Sequence, residues 1–165
     1  MRSAEFERLY AEHANALFGF LMSRSGDRGL AEDAVADTFE RALRARRGFD
    51  RRRGSEKTWL YAIALNRLRD QARRSSAEER AVSRFAAGAA EHDEAAAIER
   101  VEARHTVSGA LEVLSEEERE AIALRFGGEL TLKEIAKLTG EPMTTVEGRV
   151  YRALRKLKDS LEPEA

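Results

Sequence analysis

The stretch that most constrains this chain is Thr131 to Lys158, TLKEIAKLTGEPMTTVEGRVYRALRKLK. A break at Gly140-Glu141-Pro142-Met143 divides it into two helical patterns. Before the break, Leu132, Ile135, Ala136 and Leu138 fall at helical spacing. After it, Val146, Val150, Leu154 and Leu157 recur at i, i+4, i+8 and i+11, one apolar stripe. Thr144, Thr145, Gly148, Tyr151, Arg152 and Arg155 lie opposite that stripe. Two short helices, a tight turn, and a second helix apolar inside and basic-polar outside read as a helix-turn-helix. The competing reading is a helical hairpin with a solvated basic face.

Composition bounds the rest. The 165 residues suffice for one domain or two small ones, and Ala, Leu, Arg and Glu with only two prolines favour helix throughout. There is no cysteine, hence no disulfide framework or thiolate metal site, which fits a cytoplasmic protein. The N-terminus, MRSAEFERLYAEH, lacks an apolar signal core, and no run is long enough to span a bilayer, so no membrane insertion is expected. The net charge of -1 hides segregation. Glu40–Ser75 holds twelve Arg/Lys against four Asp/Glu, and Thr144–Lys158 five against one. Ser76–Glu120 between them holds five against twelve. Two basic blocks around an acidic one suggest two nucleic-acid-facing surfaces joined by a segment that avoids the polyanion.

In chain order, Ser3 is placed to cap a first helix whose inner side is Phe6, Leu9, Tyr10, Leu17, Phe18, Leu21 and Met22. Asp27 is placed to cap a second, running to about Arg46, with Ala31, Val35, Thr38, Phe39 and Ala42 inside. Asp33 and Asp37, four apart, stand on its outer face with Glu40, Arg41 and Arg44. They have neither the partners of a metal site nor the cleft of an acid-base pair. They fit a charged docking face for a protein, or a plain solvated one.

Arg46–Ser55, RRGFDRRRGS, reads as a loop. Basic, glycine-containing and centred on Phe49, it fits a clamp on a single strand, or an exposed connector. A third helix, capped by Ser55 and ending near Arg74, has a broad apolar arc: Leu60, Tyr61, Ile63, Ala64, Leu65 and Leu68. Ala62, Asn66, Arg69 and Arg73 leave one polar line, bordered by Trp59, which is read first as core. Asn and Arg in register suit a base edge and phosphates.

From Ser75 to about Arg100 the pattern breaks down into an Ala- and Glu-rich linker, acidic and partly helical. His92 and His105 have no ligand spacing and read as surface residues. The second domain begins near Val101. Ser115 to Glu118 and Thr131 with Glu134 are capping boxes, and Gly127-Gly128 ends the helix between them. No phosphate loop, nucleophile triad or metal cluster is present, so no enzyme and no cofactor is expected.

Ala31–Ala45, AEDAVADTFERALRA, and Lys57–Arg74, KTWLYAIALNRLRDQARR, resemble the core-binding and promoter-melting helices of extracytoplasmic-function (ECF) RNA polymerase sigma factors. Leu124-Arg125-Phe126, Glu134-Ile135-Ala136, Gly140, Pro142, Thr145-Val146, Arg149 and Arg152-Ala153-Leu154 are similar to that family's terminal domain. The resemblance implies an all-α protein of two small helical domains. Residues 1–75 would be a three-helix domain binding core polymerase and the -10 element, 76–100 a linker, and 101–162 a four-helix domain binding the -35 element.

It further implies docking of Asp33, Asp37, Phe39, Glu40 and Arg41 on the clamp helices of the large polymerase subunit, with its flap as a second contact. Phe49, Arg51, Arg52, Arg53, Lys57, Trp59, Asn66, Arg69 and Arg73 would serve the -10 element. Thr144, Thr145, Gly148, Arg149, Tyr151, Arg152 and Arg155 would serve the -35 element. An anti-sigma factor is an implied partner. Four residues depart from the pattern: Ser115 for Pro, Glu147 and Gly148 for Lys/Arg and Ser, and Leu65 for Arg. The competing functions are a helix-turn-helix regulator that does not replace sigma, and a decoy for an anti-sigma factor.

Overall fold

The computed structural model describes residues 1–85 and 109–162. Among the described residues every element is helical, and no helix is long and apolar enough to cross a membrane. The expected histidines, His92 and His105, and the presumed domain start at Val101 lie outside the described residues.

Helix α1 spans Ser3–Ser25. Its cap is Arg2, not Ser3, and the Arg2 N–H donates to Glu5 Oε2 at 2.6 Å. Gly26 closes it in the left-handed region at φ 66°, where a Cβ would be strained. Asp27 then caps α2, Arg28–Ala45, accepting from the Leu30 N–H at 2.9 Å. A single 3₁₀ turn, Arg46–Gly48, leads into the basic loop. Ser55 caps α3, Glu56–Phe85, accepting from the Thr58 N–H at 3.1 Å.

Helix α3 runs well past the expected end near Arg74. Its apolar arc stops there, and residues 71–81 are exposed all round. SSAEERAV contains no helix breaker and is rich in Ala and Glu, so propensity continues what packing began. Tyr10, expected inside, is half exposed, with its ring lying 4.6 Å from that of Phe39.

After a helical turn at 109–112 come α4, Glu116–Ile122, and a π-turn, Ala123–Gly127. The helix-turn-helix follows as α5, Leu132–Thr139, and α6, Met143–Leu161. Both capping boxes form: Ser115 and Glu118 exchange bonds of 2.9 and 3.2 Å, Thr131 and Glu134 bonds of 2.8 and 3.2 Å. The inner stripe of α6 is Val146, Val150, Ala153 and Leu157, whereas Leu154 is exposed. An i+7 step at 3.6 residues per turn stays closer to the starting direction than i+8 does.

The two halves are not separate bodies. Leu124, Leu130, Ile135 and Val146 join Leu9, Leu17, Phe20, Leu60 and Tyr61 in one buried core. Leu124 and Leu130 are fully covered, which stabilises the seam by about 2 kcal/mol each. Backbones meet there. A Cβ on Gly19 would stand 2.8 Å from the Gly127 carbonyl oxygen, and one on Gly127 would stand 2.9 Å from that of Gly19. A Cβ on Gly128 would meet the Tyr61 ring at 2.7 Å. The helix-ending glycines of the sequence therefore also let α1 approach the π-turn.

Candidate nucleic-acid interface

The basic loop and the start of α3 build the first surface. Phe49 and Trp59 face each other at 5.1 Å between ring centroids, tilted by 47°. They line a groove of about 280 Å³ with Asp50, Arg53, Thr58 and Ala62. Trp59 is half-buried, so one part packs and another part faces the groove. Arg51 bonds Glu56 at 3.1 Å and reaches Glu5 at 3.4 Å. Arg52 and Arg53 are exposed on the loop, and Asn66, Arg69 and Arg73 are exposed along α3. Leu65, where the resemblance suggested a lost phosphate contact, is buried in the core and faces away from any phosphate.

The second half of the chain reaches this surface. Lys137 and Leu138 of α5 line the same groove. The Lys57 ammonium donates to the Glu129 carbonyl at 2.8 Å and lies 3.6 Å from Glu134. Arg69 stands 3.6 Å from Glu120. Sequence spacing could not reveal these partners, because each is more than fifty residues away.

Helix α6 carries the second surface. Thr144, Thr145, Glu147, Tyr151, Arg152 and Arg155 are exposed on it. Arg149 is not free on this face. Its guanidinium makes a two-pronged pair with Glu141, at 2.6 and 2.7 Å, and holds the turn against the helix. Lys156 bonds the buried Glu118 at 2.9 Å, fastening α6 to α4.

The outer face of α2 is only partly as expected. Asp33, Glu40 and Arg44 are exposed, and Glu40 pairs with Arg44. Asp37 is held between helices: Arg67 of α3 donates to it at 2.6 Å and Arg41 lies at 3.1 Å. Burial alone would raise the Asp37 pKa, but the hydrogen bonds from Arg67 and Arg41 outweigh it and hold the carboxyl below its ordinary value. Phe39 is buried, edge-on to Phe6 at 6.2 Å, and cannot contact a partner without unpacking the core. Arg67 was the residue that spacing missed, since a pairing across thirty positions leaves no local pattern.

Residues 9–78 match the family described as Sigma-70 region 2, and residues 110–159 match Sigma-70, region 4. The ECF RNA polymerase sigma factor RpoE of Cereibacter sphaeroides is 30% identical over 158 residues, 96% of this chain and 87% of that protein. The chain belongs to the ECF sigma factors. The sigma factor SigK of Mycobacterium tuberculosis is 27% identical over 164 residues, with 96% and 87% coverage. Among solved structures, the fold is similar to a sigma factor RpoE in complex with the anti-sigma factor NepR from Bartonella quintana. That match has a TM-score of 0.75 and 26% identity, and covers 98% of this chain and 99% of the other. It is also similar to CnrH in complex with the cytosolic domain of CnrY, with TM-score 0.70, 30% identity and coverage of 99% and 92%. This sigma factor is an alternative initiation factor, which recognises promoters and carries a DNA-binding helix-turn-helix.

Proposed function

We propose that the two surfaces divide the promoter between them. The Phe49–Trp59 groove receives an unstacked base of the -10 element. Arg52, Arg53, Asn66, Arg69 and Arg73 follow the strand, with Lys57 and Arg51 at the rim. The exposed face of α6, through Thr144, Thr145, Tyr151, Arg152 and Arg155, enters the major groove of the -35 element. Asp33, Glu40 and Arg41 on α2 form the docking face for core RNA polymerase. An anti-sigma factor is the regulatory partner, by analogy with the complexes of the two structural relatives. The protein acts in the cytoplasm and makes no covalent change in its partners.

The observation that carries this reading is the tilted aromatic pair in a groove that Arg53 and Lys137 also line. Unstacking a base costs a few kcal/mol, and stacking on an aromatic returns about 1–3 kcal/mol per base. A simple regulator bound through its helix-turn-helix has no need of such a groove.

The test is run-off transcription with sigma-free core polymerase on a promoter carrying 2-aminopurine in the -10 element. Wild type gives a start and a fluorescence rise. Trp59→Ala keeps core binding and loses the rise. Core binding without any start on a promoter library would instead support the decoy reading.

A further inference from the structure

Glu147 is a lone carboxylate on the exposed face of α6, among Thr144, Thr145, Tyr151, Arg152 and Arg155. It sits early in the helix, where a recognition helix meets base edges. Two arginines close to it in sequence form no ion pair with it. Arg149 is committed to Glu141 at 2.6 and 2.7 Å. Arg152 folds back along the helix over Gly148, and its Nη1 would lie 3.2 Å from a Cβ at that position. The missing side chain at 148 makes room for the guanidinium. Among the described residues no Lys or Arg lies within ion-pair distance of Glu147.

An unpaired carboxylate facing DNA is repelled by phosphates, by the acceptor atoms of guanine and thymine, and by the N7 that adjoins the amine of adenine. The base edge whose donor suits it in the major groove is the N4 amine of cytosine. The fork of Arg152 suits the O6 and N7 of guanine. We propose that Glu147 is a specificity-determining residue that accepts a hydrogen bond from a cytosine in the -35 element. Gly148 lets Arg152 present its fork beside it. This rests on the reading of α6 as the -35 helix.

The experiment uses the full chain bound to core polymerase, a fixed -10 element and a randomised -35 window, with sequencing of the templates that form initiation complexes. Wild type enriches cytosine at one position. Glu147→Ala lowers the cytosine enrichment at that position alone, about five- to tenfold, and leaves the other positions as they were. Glu147→Gln moves the same position toward adenine, which the amide matches. Equal thermal melting of the three proteins is expected, since Glu147 is exposed. If Glu147→Ala raises binding to all sequences alike and keeps every base preference, Glu147 is only repelled by DNA and the proposal is overturned. If wild type shows preferences that Arg152→Ala alters but none for cytosine, the proposal fails while the α6 reading stands. If wild type shows no preference anywhere in the window, both fail.

Discussion

The Tyr61 hydroxyl donates a 3.0 Å hydrogen bond to the Gly128 carbonyl, across the seam between the two halves of the sigma factor. Tyr61 is fully buried, and burial raises its pKa far above the ordinary phenol value, so the proton stays on the donor. Tyr61→Phe leaves a buried carbonyl unpaired, at a cost of about 1–3 kcal/mol. The expected result is a lower Tm with the helical content unchanged. Gly127→Val is more severe, because its side chain meets the backbone of α1, which cannot swing aside as a flexible side chain does. That variant is expected to separate the halves, seen as a larger radius of gyration by small-angle scattering.

The same seam holds cations of the proposed -10 surface. Arg69 faces Glu120, and both are partly solvated. Such a pair contributes about 0–1 kcal/mol. Glu120→Gln frees Arg69 for phosphate and is expected to tighten binding of a -10 single strand by the polymerase complex up to about fivefold. Fluorescence anisotropy at fixed salt checks this, and the gain should shrink as salt rises.

Asp37 and Asp33 answer different questions, although the sequence set them side by side. Asp37→Arg loses the Arg67 pair and places a third cation beside Arg41 and Arg67. It is expected to lower both Tm and core affinity. Asp33→Arg, on an exposed residue, is expected to weaken core binding and leave Tm unchanged. Pull-down of core polymerase with parallel melting curves separates the two outcomes. If Asp33→Arg binds core as wild type does, α2 is not the docking face.

The helices, four of their caps and the helix-turn-helix were legible because they depend on local patterns, whereas the first cap fell on Arg2 and not on Ser3. Asp27, Ser55, Ser115 and Thr131 signal a cap within three residues of its partner. The stripe of α6 slipped from Leu154 to Ala153 because a small residue can face the core as well as a large one, and composition favours the large one. The closure of the two halves was not legible. It depends on Gly19 meeting Gly127 and on Tyr61 reaching Gly128, contacts between distant residues with no periodic signature. The candidate site shows the same division. Exposed arginines could be read from helical phase, but whether an arginine is free depends on what faces it. Arg149, in phase with the reading face, is bonded to Glu141.

Arg149 and Arg152 therefore differ in kind. Arg149→Ala releases the turn from α6 and leaves Glu141 without its partner. The expected loss is about 1–2 kcal/mol of stability, and -35 affinity falls alike for all sequences. Arg149→Lys recovers little, because an ammonium cannot make the two-pronged contact. Arg152→Ala leaves Tm unchanged and either relaxes the preference for one base or reduces the salt slope by about one. Binding isotherms at several salt concentrations on matched and mismatched -35 duplexes distinguish the two.

Acid should weaken the fold through carboxylates held below their ordinary pKa, among them Asp37, Glu118 and Glu141. Burial pushes Asp37 up, and the Arg67 and Arg41 hydrogen bonds more than reverse it. The Lys156 hydrogen bond, helped by the Ser115 N–H, holds Glu118 low, and the Arg149 fork does the same for Glu141. A group whose folded pKa lies below its unfolded value binds fewer protons when folded. Its stabilisation is present above the unfolded value, about 4, and is lost as pH falls through the folded one. Tm is expected to hold from neutrality to about pH 5 and to fall below about pH 4. Lys156→Met removes the largest cause of the Glu118 shift, so it lowers Tm at neutral pH and flattens the acid fall. Melting curves of both proteins between pH 7 and 3 check this. Parallel Tm profiles would mean that the Glu118–Lys156 contact does not couple folding to protons.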